Sequence, residues 1–292
     1  MKIVVCIPAR YDSTRFPGKV LAQDTGKYLI QHTYERASKA SLPQSVLIAA
    51  DDERVVRAAE SFGVPCVLTR ADHQSGTDRI AEAVAGLDAD IVVNVQGDEP
   101  EIDPDHIDLL ARLLVENPDV PMATLATPLR LAEQVADPNV VKVVVSSRTS
   151  PVGANSRGCP CGTGQAQGPA PTRDAAARAI YFSRSPIPYD RDRGGIGPAG
   201  HYLRHIGIYA YRREFLLQLA ALPQTPLEKT EKLEQLRVIE NGHAILVGTV
   251  EHTAEGIDTP QQYAAFVQRY RKQDVNDPAH NTPASQGQDS NG

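Results

Sequence analysis

The feature that most narrows the fold is an alternation in the first 120 residues between short, largely apolar runs and segments of helical spacing. The apolar runs cover residues 2–7, 46–50, 65–69 and 91–96, and helical patterns fall at 28–39, 52–62, 77–87 and 104–116. A strand that is apolar at every position is buried on both faces, which calls for helices above and below the sheet. The β-α-β-α order therefore predicts an α/β fold with a mostly parallel, Rossmann-like sheet. Trp is absent and Phe occurs only 5 times in 292 residues, so the core must be built from Val, Ile, Leu and Ala. After residue 120 the rhythm changes. Strand-like runs at 122–126, 140–146, 179–183 and 205–211 have fewer helices between them, followed by a helix at 227–240, a strand at 243–250 and a closing helix at 260–271. This predicts a smaller α+β second lobe laid over the first.

Residues 1–272 read as one domain of two lobes, divided near residue 120. Residues 147–177 are rich in Gly, Pro, Ser and Ala and read as a flexible insertion, and the polar segment 273–292 reads as a disordered tail. The formal charge of −6 is spread over interspersed acids and bases, which argues against a nucleic-acid partner held through phosphates. The opening apolar run is too short for a secretory signal, and no stretch approaches the roughly 20 apolar residues of a membrane span. A soluble, cytoplasmic protein is expected. Cys6 and Cys66 sit in apolar runs and read as core residues. Cys159-Pro160-Cys161 is spaced too closely for the usual zinc pair.

Ligands of such sheets bind beyond the carboxyl ends of the strands. The polar segments there are 8–19, 50–52, 70–79 and 96–101. Pro8-Ala9-Arg10-Tyr11-Asp12-Ser13-Thr14-Arg15-Phe16-Pro17-Gly18-Lys19 packs cations and hydroxyls into one loop. It either wraps a polyphosphate or is a solvated surface loop, and it lacks the glycine spacing of a Walker A motif. In Val95-Gln96-Gly97-Asp98-Glu99-Pro100, Asp98 is sited either to hold magnesium or to cap the next turn. Asp258, just before Pro260, reads first as a helix cap and second as a metal ligand. Ser75-Gly76-Thr77 reads as a cap or as a close approach to a ligand. In the second half, Glu231 and Gln235 share a helix face, and Glu228, Glu231 and Glu234 form a row that a solvated face would also explain.

Taken together these motifs resemble the 3-deoxy-manno-octulosonate (Kdo) cytidylyltransferases, or CMP-Kdo synthetases. The carriers are Ile7-Pro8-Ala9-Arg10-Tyr11, Ser13-Thr14-Arg15, Pro17-Gly18-Lys19, His73-Gln74-Ser75-Gly76-Thr77-Asp78 and Val93-Asn94-Val95-Gln96-Gly97-Asp98-Glu99-Pro100. The likeness runs in order to about residue 272, without counterpart for 147–177 or the tail. It implies a nucleotide-diphospho-sugar transferase fold, usually a homodimer, and transfer of CMP from CTP to Kdo for lipopolysaccharide synthesis. It assigns Arg10, Ser13, Arg15, Lys19, Ser75, Gly76 and Arg79 to CTP, with Lys19 and Arg15 stabilising the leaving pyrophosphate. It assigns Asp98 and Asp258 to magnesium, and Gln96, Arg184, His205, Tyr209, Glu231 and Gln235 to the sugar, with Arg184 facing its carboxylate. The alternatives are another acidic sugar (a sialic acid or an amino-Kdo), or an inactive nucleotide-binding protein on the same fold. The insertion at 147–177 reads as a tolerated surface loop or as a lid.

Overall fold

A computed structural model describes residues 1–13, 15–73, 75–146 and 176–276. The expectations placed on 147–175 and 277–292, including the lid and the Cys159–Cys161 pair, lie outside these residues. The first half runs β1 (Ile3–Ala9), α1 (Leu29–Ala37), β2 (Ser45–Ala50), α2 (Glu53–Ser61), β3 (Cys66–Leu68), α3 (Gly76–Val84), β4 (Ile91–Asn94) and α4 (Pro104–Glu116). The second runs β5 (Met122–Pro128), α5 (Ala132–Ala136), β6 (Lys142–Ser146), β7 (Ala177–Ser183), β8 (Leu203–Arg212), α6 (Arg213–Ala221), α7 (Pro226–Glu231), α8 (Gln235–Glu240), β9 (Ile245–Thr249) and α9 (Pro260–Asn276).

β1 shows why the apolar runs demand two helical layers. Ile3, Val5 and Ile7 enter one core with residues of α1 and α4, while Val4 and Cys6 enter the other with residues of α3 and α6. β3 departs from this pattern: it is the edge strand, and Leu68 is 51% exposed.

Among the described residues the strands form one nine-stranded sheet, in the order β3-β2-β1-β4-β8-β5-β9-β7-β6. It is mixed, so the mostly parallel expectation holds only for β1–β4, which are parallel to one another, and for the β5–β9 pair. β8 lies antiparallel between β4 and β5, and β7 lies antiparallel to β6 and β9. β6 also pairs with β8, so the second half of the sheet closes on itself. The strands after residue 120 thus extend the first sheet rather than lying over it. Hydrophobic spacing reveals strands but not which neighbour each one chooses.

The helix expected at 227–240 is instead two short helices, α7 and α8, broken at Lys232, which takes φ 54. Three carboxylates explain the break. Glu228 pairs with Arg237 at 2.6 Å, Glu231 accepts from Ser183 Oγ at 2.6 Å, and Glu234 accepts from Thr77 Oγ1 at 2.6 Å. A straight helix would have lined all three along a solvated face. At the carboxyl end, α9 runs to Asn276, beyond the expected boundary at 272.

Candidate active site

The loop after β1 closes on itself. Gly18 takes φ 68, open to glycine at little cost, and its N–H donates to Tyr11 O at 3.1 Å. Tyr11 N donates to Asp51 Oδ1 at 2.9 Å, and the Arg54 guanidinium lies 3.4 Å over the Tyr11 ring. Arg10 is fixed from the far side by donating to His73 O at 2.6 Å. Lys19 then turns inward: its side chain is 9% exposed, and Nζ lies 2.6 Å from Asp98 Oδ2 and 3.4 Å from Asp258 Oδ1. Arg15 reaches Asp258 Oδ1 at 3.0 Å.

Asp98 is placed by Gly97. A Cβ there would stand 2.8 Å from Pro8 O, so only glycine lets this turn press against the end of β1. Asp258 is placed by a splice and a cap. Ile257 N donates to Asp98 O at 2.8 Å, tying the two loops together. Thr259 and Gln262 cap α9 reciprocally: Gln262 N donates to Thr259 Oγ1 at 3.2 Å, and Thr259 N to Gln262 Oε1 at 3.0 Å. The cap is therefore Thr259, and the Asp258 carboxylate is left facing Lys19 and Arg15. The cap reading of Asp258 is overturned.

A cavity of about 410 Å³ opens above these groups, walled by Arg10, Asp12, Ser13, Arg15, Lys19, Gly76, Gln96, Asp98 and Asp258. A second, of about 400 Å³, is walled by residues that include Asn94, Gln96, Arg204, His205, Tyr209, Lys232, Glu234 and Gln235. Gly76 and Gln96 belong to both walls. Burial makes the second cavity's aromatic groups neutral: it holds the His205 imidazole down to about 3 and pushes the Tyr209 phenol upward. Burial also raises Glu234. Glu234 Oε1 and Gln235 Nε2 are buried without a hydrogen-bond partner among the described residues. Such orphans are costly unless a ligand completes them. Beside the first cavity, burial and then the neighbouring Asp98 push Glu99 up to about 8.

Four residues of the expected set stand outside both walls. Ser75 caps α3, accepting from Asp78 N at 3.1 Å. Arg79 is wholly buried and braces the strand-end loops, donating to Thr69 Oγ1 at 2.6 Å and Arg70 O at 3.2 Å. Glu231 and Arg184 hold each other: Arg184 N donates to Glu231 Oε2 at 3.0 Å and Arg184 Nε to Glu231 O at 2.7 Å. Arg184 Nη1 donates to Pro138 O at 3.0 Å. Glu231 and Gln235 do not share a helix face, since the break at Lys232 separates them. Sequence reasoning passed over Arg204, Lys232 and Glu234 as site residues. Arg204 adjoins His205 and Glu234 adjoins Gln235, but the assumption of one straight helix turned Glu234 outward.

Two carboxylates converging from distant parts of the chain suit a hard cation. Among the described residues no group of three or more His, Cys, Asp and Glu gathers to cage a metal. Magnesium commonly takes one or two carboxylates and completes its shell with phosphate and water.

Comparisons with known proteins point to one family. A family model described as cytidylyltransferase matches residues 4–245. The 3-deoxy-manno-octulosonate cytidylyltransferase of Solibacter usitatus is 48% identical over 260 residues, covering 89% of this chain and 91% of that protein. That of Syntrophotalea carbinolica is 45% identical over 266 residues, covering 89% and 95%. Among solved structures, a CMP:2-keto-3-deoxy-manno-octonic acid synthetase complexed with CTP superposes with a TM-score of 0.79 at 39% identity, covering 94% of this chain and 100% of that one. Identity of this depth over nearly the full length, on a sheet that brings Lys19, Asp98 and Asp258 together, places the chain in the 3-deoxy-manno-octulosonate cytidylyltransferase family.

Proposed function

We propose that the protein transfers CMP from CTP to Kdo, releasing pyrophosphate and activating Kdo for lipopolysaccharide synthesis. One observation carries this reading: a cavity that sets Arg10, Arg15 and Lys19 beside the carboxylates of Asp98 and Asp258 adjoins a cavity with unpaired polar groups, and Gln96 and Gly76 belong to both walls. A triphosphate in the first and a polyol in the second would meet at that wall.

Arg10, Ser13, Arg15 and Lys19 line the first cavity and present donors to a polyphosphate. Lys19 and Arg15 stabilise the charge that develops on departing pyrophosphate, a role that preorganised cations fill well in a site closed to water. In the second cavity Gln235 Nε2 and Glu234 Oε1 take sugar hydroxyls. Tyr209 supports Gln235 through a bond from its hydroxyl to Oε1 at 3.4 Å. His205 is neutral, and its Nε2 stands 3.0 Å from Thr124 Oγ1, so it positions rather than carries charge. Asp98 and Asp258 would hold magnesium, which supplies charge neutralisation between the two anionic substrates. Lys19, now between those carboxylates, would turn to the phosphates.

By likeness to the family the working unit is a homodimer. Ile180 on β7 and Tyr189 are 55% and 68% exposed and offer apolar surface to a second copy. No helix among the described residues is long and apolar enough to cross a membrane.

The test is pyrophosphate release from CTP and magnesium, with Kdo and a sialic acid in parallel, for wild type, Asp98→Asn and Asp258→Asn. Release with Kdo and not with sialic acid, lost in both variants while they still fold, is the expected result. Release with sialic acid alone would move the substrate. Full activity in either variant would remove the assigned metal ligands.

A further inference from the structure

An acidic sugar needs a cation where its carboxylate lands. Among the described residues, the cations in the wall of the second cavity are Arg204 and Lys232. His205 supplies no charge, since burial holds it down to about 3. Arg184 is committed to the carbonyls of Glu231 and Pro138 and stands outside the wall.

Arg204 differs from the other arginines nearby. Arg212 donates to the carbonyls of Val120, Leu114 and Asn117, and Arg237 is gripped by Glu228. The Arg204 guanidinium makes no hydrogen bond among the described residues. The carboxylate paired with it, Glu255 Oε1, is 4.0 Å away, on a side chain that is 71% exposed. Arg204 is itself only 30% exposed, so it is a half-buried fork without a committed acceptor. It shares the wall of the second cavity with Gln96, which also lines the first cavity beside Asp98 and is tied to the same strand as Arg204 through Gly207 O at 3.4 Å. The carboxylate of a 2-keto sugar acid is attached to its anomeric carbon. The cation that binds it must therefore lie where the two cavities meet, on the wall that Arg204 shares with Gln96. Lys232 is exposed, at the break between α7 and α8, and its ammonium lacks the planar fork that matches a carboxylate.

We propose that Arg204 binds the carboxylate of the acidic sugar, selecting an acid and orienting the adjacent anomeric hydroxyl. This rests on the sugar reading of the second cavity. The experiment compares Kdo with its C1 carboxamide as acceptors, at saturating CTP, for wild type, Arg204→Gln, Arg204→Lys, Lys232→Gln and Arg184→Gln. CTP affinity by calorimetry and the thermal midpoint serve as folding controls. Loss of a charge-assisted pair predicts a KM for Kdo raised about 10- to 100-fold in Arg204→Gln, with CTP affinity unchanged. That variant should also no longer distinguish acid from amide, whereas wild type, Lys232→Gln and Arg184→Gln should still prefer the acid. Should Arg204→Gln fail to fold, Arg204→Lys decides, with KM for Kdo raised roughly tenfold at an unchanged midpoint. Retained acid preference in a folded Arg204→Gln, wild-type KM in Arg204→Lys, or loss of the preference in either other variant would overturn the assignment. No turnover of Kdo by wild type would instead sink the parent reading.

Discussion

Replacing Glu228 with Gln tests whether the broken helix pair that walls the second cavity is held by one buried ion pair. Glu228 Oε1 accepts from Arg237 Nη2 at 2.6 Å and Oε2 from Arg237 Nε at 2.8 Å, with both side chains 5–6% exposed. Glu228 Oε2 also accepts from Thr225 N at 3.2 Å, closing the cap of α7. Gln keeps the volume but leaves the Arg237 charge without its counter-ion. Breaking a buried pair in this way costs about 3–5 kcal/mol. Glu234 Oε1, 4.0 Å from Arg237 Nη2, remains as a weaker partner and sets the expectation at the lower end, about 3 kcal/mol. At roughly 2–4 °C per kcal/mol for a domain of this size, the thermal midpoint should fall by about 6–12 °C. Scanning fluorimetry and urea titration read the loss. The KM for the sugar should rise with CTP affinity unchanged, because the α7–α8 segment carries Lys232, Glu234 and Gln235 but no wall of the first cavity. Glu228→Gln with Arg237→Met should recover part of the stability, as buried pairs often exchange for apolar groups at little cost. A single-variant midpoint within 2 °C of wild type would refute the reasoning.

Three further outcomes follow from the geometry. Gly97→Ala forces a Cβ to 2.8 Å from Pro8 O, and should cost about 1–3 kcal/mol by urea titration and displace Asp98 enough to lower pyrophosphate release. Thr259→Ala removes the α9 cap, costing about 1 kcal/mol, and should lower kcat more than Gln261→Ala, a surface change on the same helix. Burial holds His32 down to about 4, so the native state binds fewer protons than the unfolded chain between the ordinary histidine value and pH 4. Stability should thus fall as pH drops from about 6.5 to 4, and His32→Gln should show a shallower slope of thermal midpoint against pH in that window.

What the sequence discloses follows from which interactions are local. The apolar runs of β1, β2 and β4 are legible because burial on both faces removes the polar–apolar alternation from all but their end residues. The loop from Arg10 to Lys19 is legible because its cations sit together in the chain. The cap of α9 was misread by one residue: Asp258 and Thr259 are both good capping types, and only the reciprocal bond with Gln262 decides between them. The α7–α8 break was invisible because its causes are distant. Glu231 is drawn toward Ser183 and Glu234 toward Thr77, and neither partner can be found from periodicity within residues 226–240. Arg184 stands outside the second cavity's wall for a similar reason, since the Glu231 carboxylate holds its backbone N and the Glu231 carbonyl accepts its Nε.

The antiparallel entry of β8 between β4 and β5 explains why the wall of the second cavity draws on both halves of the chain. Tyr209 pairs with Asn94, the last residue of β4. The earlier part of β8 therefore runs on past the end of β4, alongside the turn that carries Gln96 and Asp98. Gln96 Nε2 donates to Gly207 O at 3.4 Å across this seam. Arg204 and His205 are thereby delivered next to a nucleotide loop that a purely parallel sheet would have kept apart from them. A parallel strand in the same slot would start where β4 starts, and its residues beyond β4 would come from its other end. The strand direction that the apolar pattern could not reveal is thus the feature that joins the second cavity to the first.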